Sequence, residues 1–220
     1  MSRLIAILFA LFVPACANVA SAQTTLETFE GSANTTGNSS FVSNGTTFDI
    51  VTNSSWRFAI DSAYPGTGWN GTAADNKYID NDGLAVPPNP APSPNFSLKT
   101  HDGSPFTVGS FWLYLAGYTC GQGPTCIGQG GSVTLTGKLS GATVFTASAS
   151  SGFTTSISTT NGFSKIDLTT FGGSNNASKK IDELQIVTGG NFQYVALDAL
   201  TWTKLVSYTV GTAVSPNSAY

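Results

Sequence analysis

One histidine in 220 residues, His101, leaves this chain without the means to build a multi-histidine metal site. Charge is almost as scarce. Asp, Glu, Lys and Arg together make up 10% of the sequence, too few to supply the polar faces of amphipathic helices. Basic residues are few and scattered, whereas nucleic acids and anionic membranes require clustered Lys and Arg, so neither is an expected partner. Beyond the first 22 residues no run approaches the roughly 18 apolar residues that a membrane helix needs, so membrane insertion is not expected. There is no Gly-x-Ser-x-Gly nucleophile elbow. The glycine-rich Gly128-Gln-Gly-Gly131 leads into a strand-like run rather than a helix, which argues against phosphate binding.

What is present begins with an export signal. Arg3 precedes an apolar stretch from Leu4 to Val13, and Ala20-Ser-Ala22 supplies small residues before Gln23. Residues 1–22 therefore read as a secretory signal peptide, which places the mature chain outside the cytoplasm, extracellular or periplasmic. A lipoprotein reading would use Val13-Pro-Ala-Cys16, where proline beside the cleavage site makes a poor match. Without Arg3 the mature chain has eight basic against twelve acidic residues. Cys120 and Cys126 then remain, closing the loop Cys-Gly-Gln-Gly-Pro-Thr-Cys. In an oxidising compartment they are expected to form a disulfide pinning a loop tip, with a metal or redox pair as the competing account.

Short alternating runs separated by Gly, Ser, Thr and Asn clusters dominate the rest. They fall at 25–30, 47–51, 56–60, 77–79, 96–100, 106–115, 132–139, 143–149, 157–158, 163–168, 181–187 and 194–203, with 31–40 a polar loop and 62–95 a long irregular stretch. Several have one apolar face: Val133, Leu135 and Leu139 oppose Thr134, Thr136 and Lys138; Ile166 and Leu168 oppose Lys165 and Asp167; Leu184 and Ile186 oppose Glu183 and Gln185. This pattern predicts an all-β, two-sheet antiparallel β-sandwich of jelly-roll type over 23–204. Residues 205–220 read as a tail or the start of a missing repeat.

Asp198 is the only charge in Asn191-Phe-Gln-Tyr-Val-Ala-Leu-Asp-Ala-Leu-Thr-Trp-Thr203. Strict alternation puts Phe192, Tyr194, Ala196, Leu200 and Trp202 on its face and Val195, Leu197 and Ala199 on the other. A carboxylate so placed must accept several hydrogen bonds or hold a cation. If first and last strands lie together, Glu30 or Glu27 would join Asp198, and hard oxygen donors in irregular geometry suit calcium. A hydrogen-bond network without metal is the alternative.

The opening Phe29-Glu30-Gly31, the central Asp102-Gly-Ser-Pro-Phe-Thr-Val-Gly-Ser-Phe111 and the closing Leu197-Asp-Ala-Leu-Thr201 resemble secreted bacterial jelly-roll modules. These are similar to carbohydrate-binding modules and to adhesin-like surface domains. The resemblance implies a structural calcium between Glu30 and Asp198. The chain departs from the pattern in having Ala199 where a second acid or amide commonly follows.

Aromatic residues offer the second site. Trp112 and Tyr114 share one face of the 106–115 run, at the roughly 7 Å spacing of i and i+2 that suits a sugar ring. Trp69, between Gly66, Gly68 and Gly71, is expected on an exposed loop, and Trp56, Tyr64 and Tyr78 form a possible rim. Buried aromatic core is the competing account for all of them. Asp80, Asn81 and Asp82 before Gly83 read as a solvated turn rather than a cation loop, and His101 as a turn histidine. Paired acids for glycoside hydrolysis would have to come from Asp61, Asp75, Asp80, Asp82 or Asp102, and no pair stands out.

The leading expectation is a secreted, non-catalytic carbohydrate-binding or adhesion module whose partner is a polysaccharide or cell-surface glycan. A structural or interaction domain with no small ligand comes second, and a glycan-degrading enzyme third.

Overall fold

The computed structural model describes residues 22–37, 39–53, 56–62, 66–81, 93–117, 127–158 and 160–205. Cys120, Cys126, Tyr64, Asp82, residues 1–21 and the stretch 206–220 lie outside them.

Among the described residues twelve strands form two antiparallel six-stranded sheets. In chain order they are β1 (Thr24–Glu27), β2 (Ser40–Ser43), β3 (Thr46–Thr52), β4 (Ala59–Asp61), β5 (Tyr78–Asp80), β6 (Asn95–Thr100), β7 (Phe106–Ala116), β8 (Gly131–Leu139), β9 (Ala142–Ala149), β10 (Phe163–Asp167), β11 (Glu183–Gly190) and β12 (Tyr194–Lys204). One sheet runs β10-β7-β12-β5-β4, with β1 also paired to β12; the other runs β2-β3-β6-β11-β8-β9. From β6 onward the chain passes repeatedly between sheets, as a jelly-roll sandwich requires.

The alternating runs put their apolar sides where expected. Val133, Leu135, Ile166, Leu168, Leu184 and Ile186 are all buried in the interlayer core. That core is strongly aromatic: Phe41 stacks on Phe48, and Phe48 meets both Phe106 and Trp202 edge-on.

Two sequence expectations fail locally. Residues 40–43 form an edge strand paired with β3, although the polar run before them reads as continuous loop. Ile157 and Ser158 form no strand; Ile157 is exposed.

The expected parity of β12 fails more informatively. Asp198 pairs with Trp112 and Thr201 with Ser110, so Ala199 and Leu200 together oppose Phe111 alone. This is a β-bulge. Ala199 takes φ 49°, a left-handed conformation that costs a non-glycine residue about 1–2 kcal/mol. Across the bulge the pleat inverts: Val195 and Leu197 face the sandwich before it, Leu200 and Trp202 after it. Asp198 therefore does not share a face with Leu200 and Trp202. Strand β7 makes the matching correction at Gly109, since Trp202 pairs with Val108 directly after Thr201 pairs with Ser110. Phe106 and Val108 thus face the same core as Phe111, Leu113 and Leu115.

The other face of β7, β12 and β5 is also covered. Tyr78, Tyr114, Ala116, Ile127, Phe163 and Ala196 make a second, smaller core, against which Trp69, Trp112 and Tyr194 pack half-buried. The segment 66–81 helps to build this outer layer, and it carries the candidate site.

Candidate functional site

Asp198 lies on that outer face, fully buried, in register with Trp112 on the neighbouring strand. Its two oxygens divide the labour. Oδ1 accepts the N–H of Ala199 at 2.6 Å, which offsets part of the strain at the bulge, and Oδ2 accepts the N–H of Trp69 at 3.0 Å. The amide of Trp69 is thereby tied to β12 while its ring lies flat on Trp112, with centroids 4.6 Å apart and planes 13° apart.

The segment 66–81 brings a second acid. Asp75 is 5% exposed. Its Oδ2 accepts a long bond from the N–H of Asn70 at 3.3 Å, whereas its Oδ1 is buried and makes no hydrogen bond among the described residues. Such an orphaned oxygen costs about 1–3 kcal/mol, more if charged. Gly68 shows how closely the acids converge. A Cβ built on it would lie 2.2 Å from Asp198 Oδ2 and 2.8 Å from Asp75 Oδ1, so those two oxygens stand no more than about 5 Å apart. Only glycine leaves them that space. Gly68→Ala is expected to push 67–70 off β12 and cost about 1–3 kcal/mol. Thermal melting together with loss of the Trp69–Trp112 near-ultraviolet dichroism would show it; an unshifted melting curve would refute the close approach.

Glu30 completes the group from the N-terminal side. Its Oε1 accepts the N–H groups of Asn76 and Lys77, each at 2.8 Å. Glu27 turns elsewhere, accepting the N–H of Phe29 at 2.7 Å. Among the described residues none of Glu30, Asp75 and Asp198 takes part in an ion pair. Burial, and then the neighbouring Asp75 and Glu30 charges, push the Asp198 carboxyl up to about 7 against the backbone hydrogen bonds that lower it. Burial also raises Asp75, with Glu30 adding to it.

The arrangement has two features that suit a hard cation: an orphaned buried carboxylate oxygen, and a second carboxylate oxygen within reach of one ion. Among the described residues, however, no three His, Cys, Asp or Glu side chains already stand in a metal-holding arrangement. Glu30 spends one oxygen on amides, so carbonyls and water would have to complete a shell of six to eight.

The other expected site residues separate. Trp69 and Trp112 come together, each partly exposed. Tyr114 does not join them in offering a ring to solvent: it is fully buried and packs edge-on to Phe163 and Tyr194. It lies under the outer layer that 66–81 and Phe163 help to build. Trp56 and Tyr78 are likewise buried rather than rim residues. The Tyr78 hydroxyl accepts the N–H of Gly66, and burial raises its pKa. Asp80 and Asn81 are not a solvated turn. Both are buried; Asp80 accepts the Tyr194 hydroxyl, while Asn81 donates to the Gln193 carbonyl and accepts the Val195 N–H. His101 sits on an exposed turn with Nδ1 3.0 Å from Asp49. Asp61 and Asp102 accept nearby backbone N–H groups, those of Ser62 and Ser104.

The pairing of Asp75 with Asp198 and the part played by Asn161 escape the sequence reading. Asp75 is 123 positions from Asp198, and no spacing rule joins them. Asn161, at φ 49°, donates through Nδ2 to the Thr67 carbonyl and hydroxyl, at 2.9 and 2.8 Å, and so holds the loop from its other side. The glycines flanking Trp69 are the one signal that points here. They read as exposure, whereas Gly68 marks a close approach.

No family model matches the chain, and no curated protein matches it. Two of the solved structures similar to it illustrate the likeness. One is a DUF4465 family protein from Bacteroides caccae, 15% identical, with a TM-score of 0.46 over 83% of this chain and 100% of that one. The other is a cleaved adhesin domain of Lys-gingipain from Porphyromonas gingivalis, 10% identical, with a TM-score of 0.43 over 84% of this chain and 99% of that one.

Proposed function

We propose that this chain is a secreted, non-catalytic β-sandwich module that binds a polysaccharide or cell-surface glycan through Trp69 and Trp112. A structural calcium ion held by Asp198 and Glu30 would fasten the last strand to the start of the domain. The observation that carries the reading is the stacked, partly exposed Trp69–Trp112 pair on a face where Tyr78, Tyr114 and Phe163 are buried. Indole faces suit the apolar face of a sugar, and rigid rings lose little entropy on contact. The orphaned Asp75 oxygen beside Asp198 supports the cation, because a buried acceptor without a donor is costly unless something pairs with it.

The test is a glycan array on the mature chain in calcium. Binding is expected, and Trp69→Ala is expected to weaken it at least tenfold with far-ultraviolet dichroism unchanged. A chain that binds no glycan would end the reading. The burial of Tyr114 favours the second account, a structural or interaction domain of a surface protein without a small ligand, since it halves the platform that β7 alone would offer.

A further inference from the structure

The acid group and the aromatic pair are one mechanical unit. Trp69 follows Gly68 directly. Its amide is bound to Asp198 Oδ2, the oxygen that faces the orphaned Asp75 Oδ1 across the space a side chain at Gly68 would fill. Asp75 in turn closes the loop on itself, its carbonyl accepting the N–H of Gly68 and its amide donating to Thr72. Glu30 holds the next two amides, those of Asn76 and Lys77. Whatever draws Asp75 and Asp198 together therefore sets the backbone on either side of Trp69. Once both carboxyls are ionised their like charges repel at this distance, so without a counter-charge they weaken the hold of β12 on the loop.

We infer that a divalent, oxygen-seeking cation of the calcium class binds between Asp75 and Asp198, with Asp75 rather than Glu30 as its principal second carboxylate, and that its occupancy fixes Trp69 on Trp112. This rests on the proposed reading, puts Asp75 in the place Glu30 has there and adds a regulatory role: ligand contact becomes conditional on the cation. The cation supplies the positive charge that the acids lack and the partner that Asp75 Oδ1 lacks. Its effect reaches the ligand face through one peptide unit, Gly68–Trp69. Calcium tolerates the irregular shell of carboxylates, carbonyls and water available here better than magnesium, which demands a tight octahedron.

The experiment is a calcium titration of the mature wild-type chain after EDTA treatment, read by calorimetry and by near-ultraviolet circular dichroism, where a stacked indole pair gives a strong signal. Saturation at one ion per chain with a matching change in the indole signal is expected, magnesium producing neither at the same concentration. Asp75→Asn should weaken calcium at least tenfold, and Glu30→Gln should weaken it less. Trp69→Ala should bind calcium within threefold of wild type yet lose the dichroic change. Calcium binding that leaves the wild-type indole signal unchanged would overturn the coupling. Affinity unaltered in Asp75→Asn would overturn the assignment, and no calcium binding at all would remove the cation from both readings. A chain that shows the calcium-dependent indole signal but binds no glycan would sink the glycan reading alone.

Discussion

In EDTA, the wild-type protein is expected to lose unfolding free energy as the pH rises from about 4 to about 7. The folded-state pKa of Asp198 lies at about 7, above the 3.8 of an exposed aspartate. Between those values the unfolded chain has released a proton that the folded chain still holds. Folding therefore binds protons, and stability falls as they become scarce. The contribution is fully present below about pH 4 and gone above pH 7. At about 1.4 kcal/mol for each tenfold change in proton affinity, the loss reaches up to about 4 kcal/mol. Asp75, also raised, acts in the same direction. Asp102, Asp167 and Glu183 are lowered by local hydrogen bonds or by Lys138 and act oppositely, but their windows lie below about pH 4.5. Urea unfolding at pH 5 and pH 8 reads the effect, and Asp198→Asn should flatten it. If that variant keeps the wild-type slope, Asp198 is not its source.

The second large effect belongs to the sandwich core. Trp202 is 1% exposed, meets Phe48 and Phe106 edge-on, and donates its Nε1–H to Ser43 Oγ at 3.0 Å. It thus joins β12 of one sheet to β2 and β3 of the other. Trp202→Ala should cost about 3–5 kcal/mol from the cavity alone. The Ser43 hydroxyl, itself buried, would lose its indole partner as well. Trp202→Phe keeps most of the ring and loses the donor, so it should cost less than half as much. Denaturant midpoints of the two variants check this, and a Trp202→Ala loss under about 1.5 kcal/mol would contradict the packing described.

The layer architecture was legible because its signal is repeated. Faces such as Val133 and Leu135, or Leu184 and Ile186, repeat every second residue and bury as that pattern dictates. Asp198 stood out for a related reason: a lone charge in an apolar run has few physical explanations. What surrounds it was not legible. Alternation carries no mark of a bulge, and Ala199 is not a residue whose identity announces a positive φ. Strand β2 was missed because its four residues follow a polar run and bury only Phe41 and Ser43. The outer core was legible only as a competing account, because burial of Tyr78 and Tyr114 depends on a loop folding back over the sheet, a tertiary event with no local period. Asp75 illustrates the same limit. Its neighbours in sequence are those of a solvated turn, and only the return of the loop to β12 makes it a partner of Asp198.

Alternation lets two adjacent strands, β7 and β12, serve both hydrophobic cores, and the paired irregularities at Ala199 and Gly109 keep them in register beyond that region. The N-terminal half of β12 contributes Ala196 to the outer core and Val195 and Leu197 to the inner one; beyond the bulge Leu200 and Trp202 return to the inner core. The outer layer is consequently no appendage that can peel away as a separate unit. Loosening it frees the pleat of β7 and β12, which also hold the sandwich together. Disorder that begins in the outer layer is thus transmitted to the whole domain, and the stability of that layer and that of the sandwich become a single cooperative quantity.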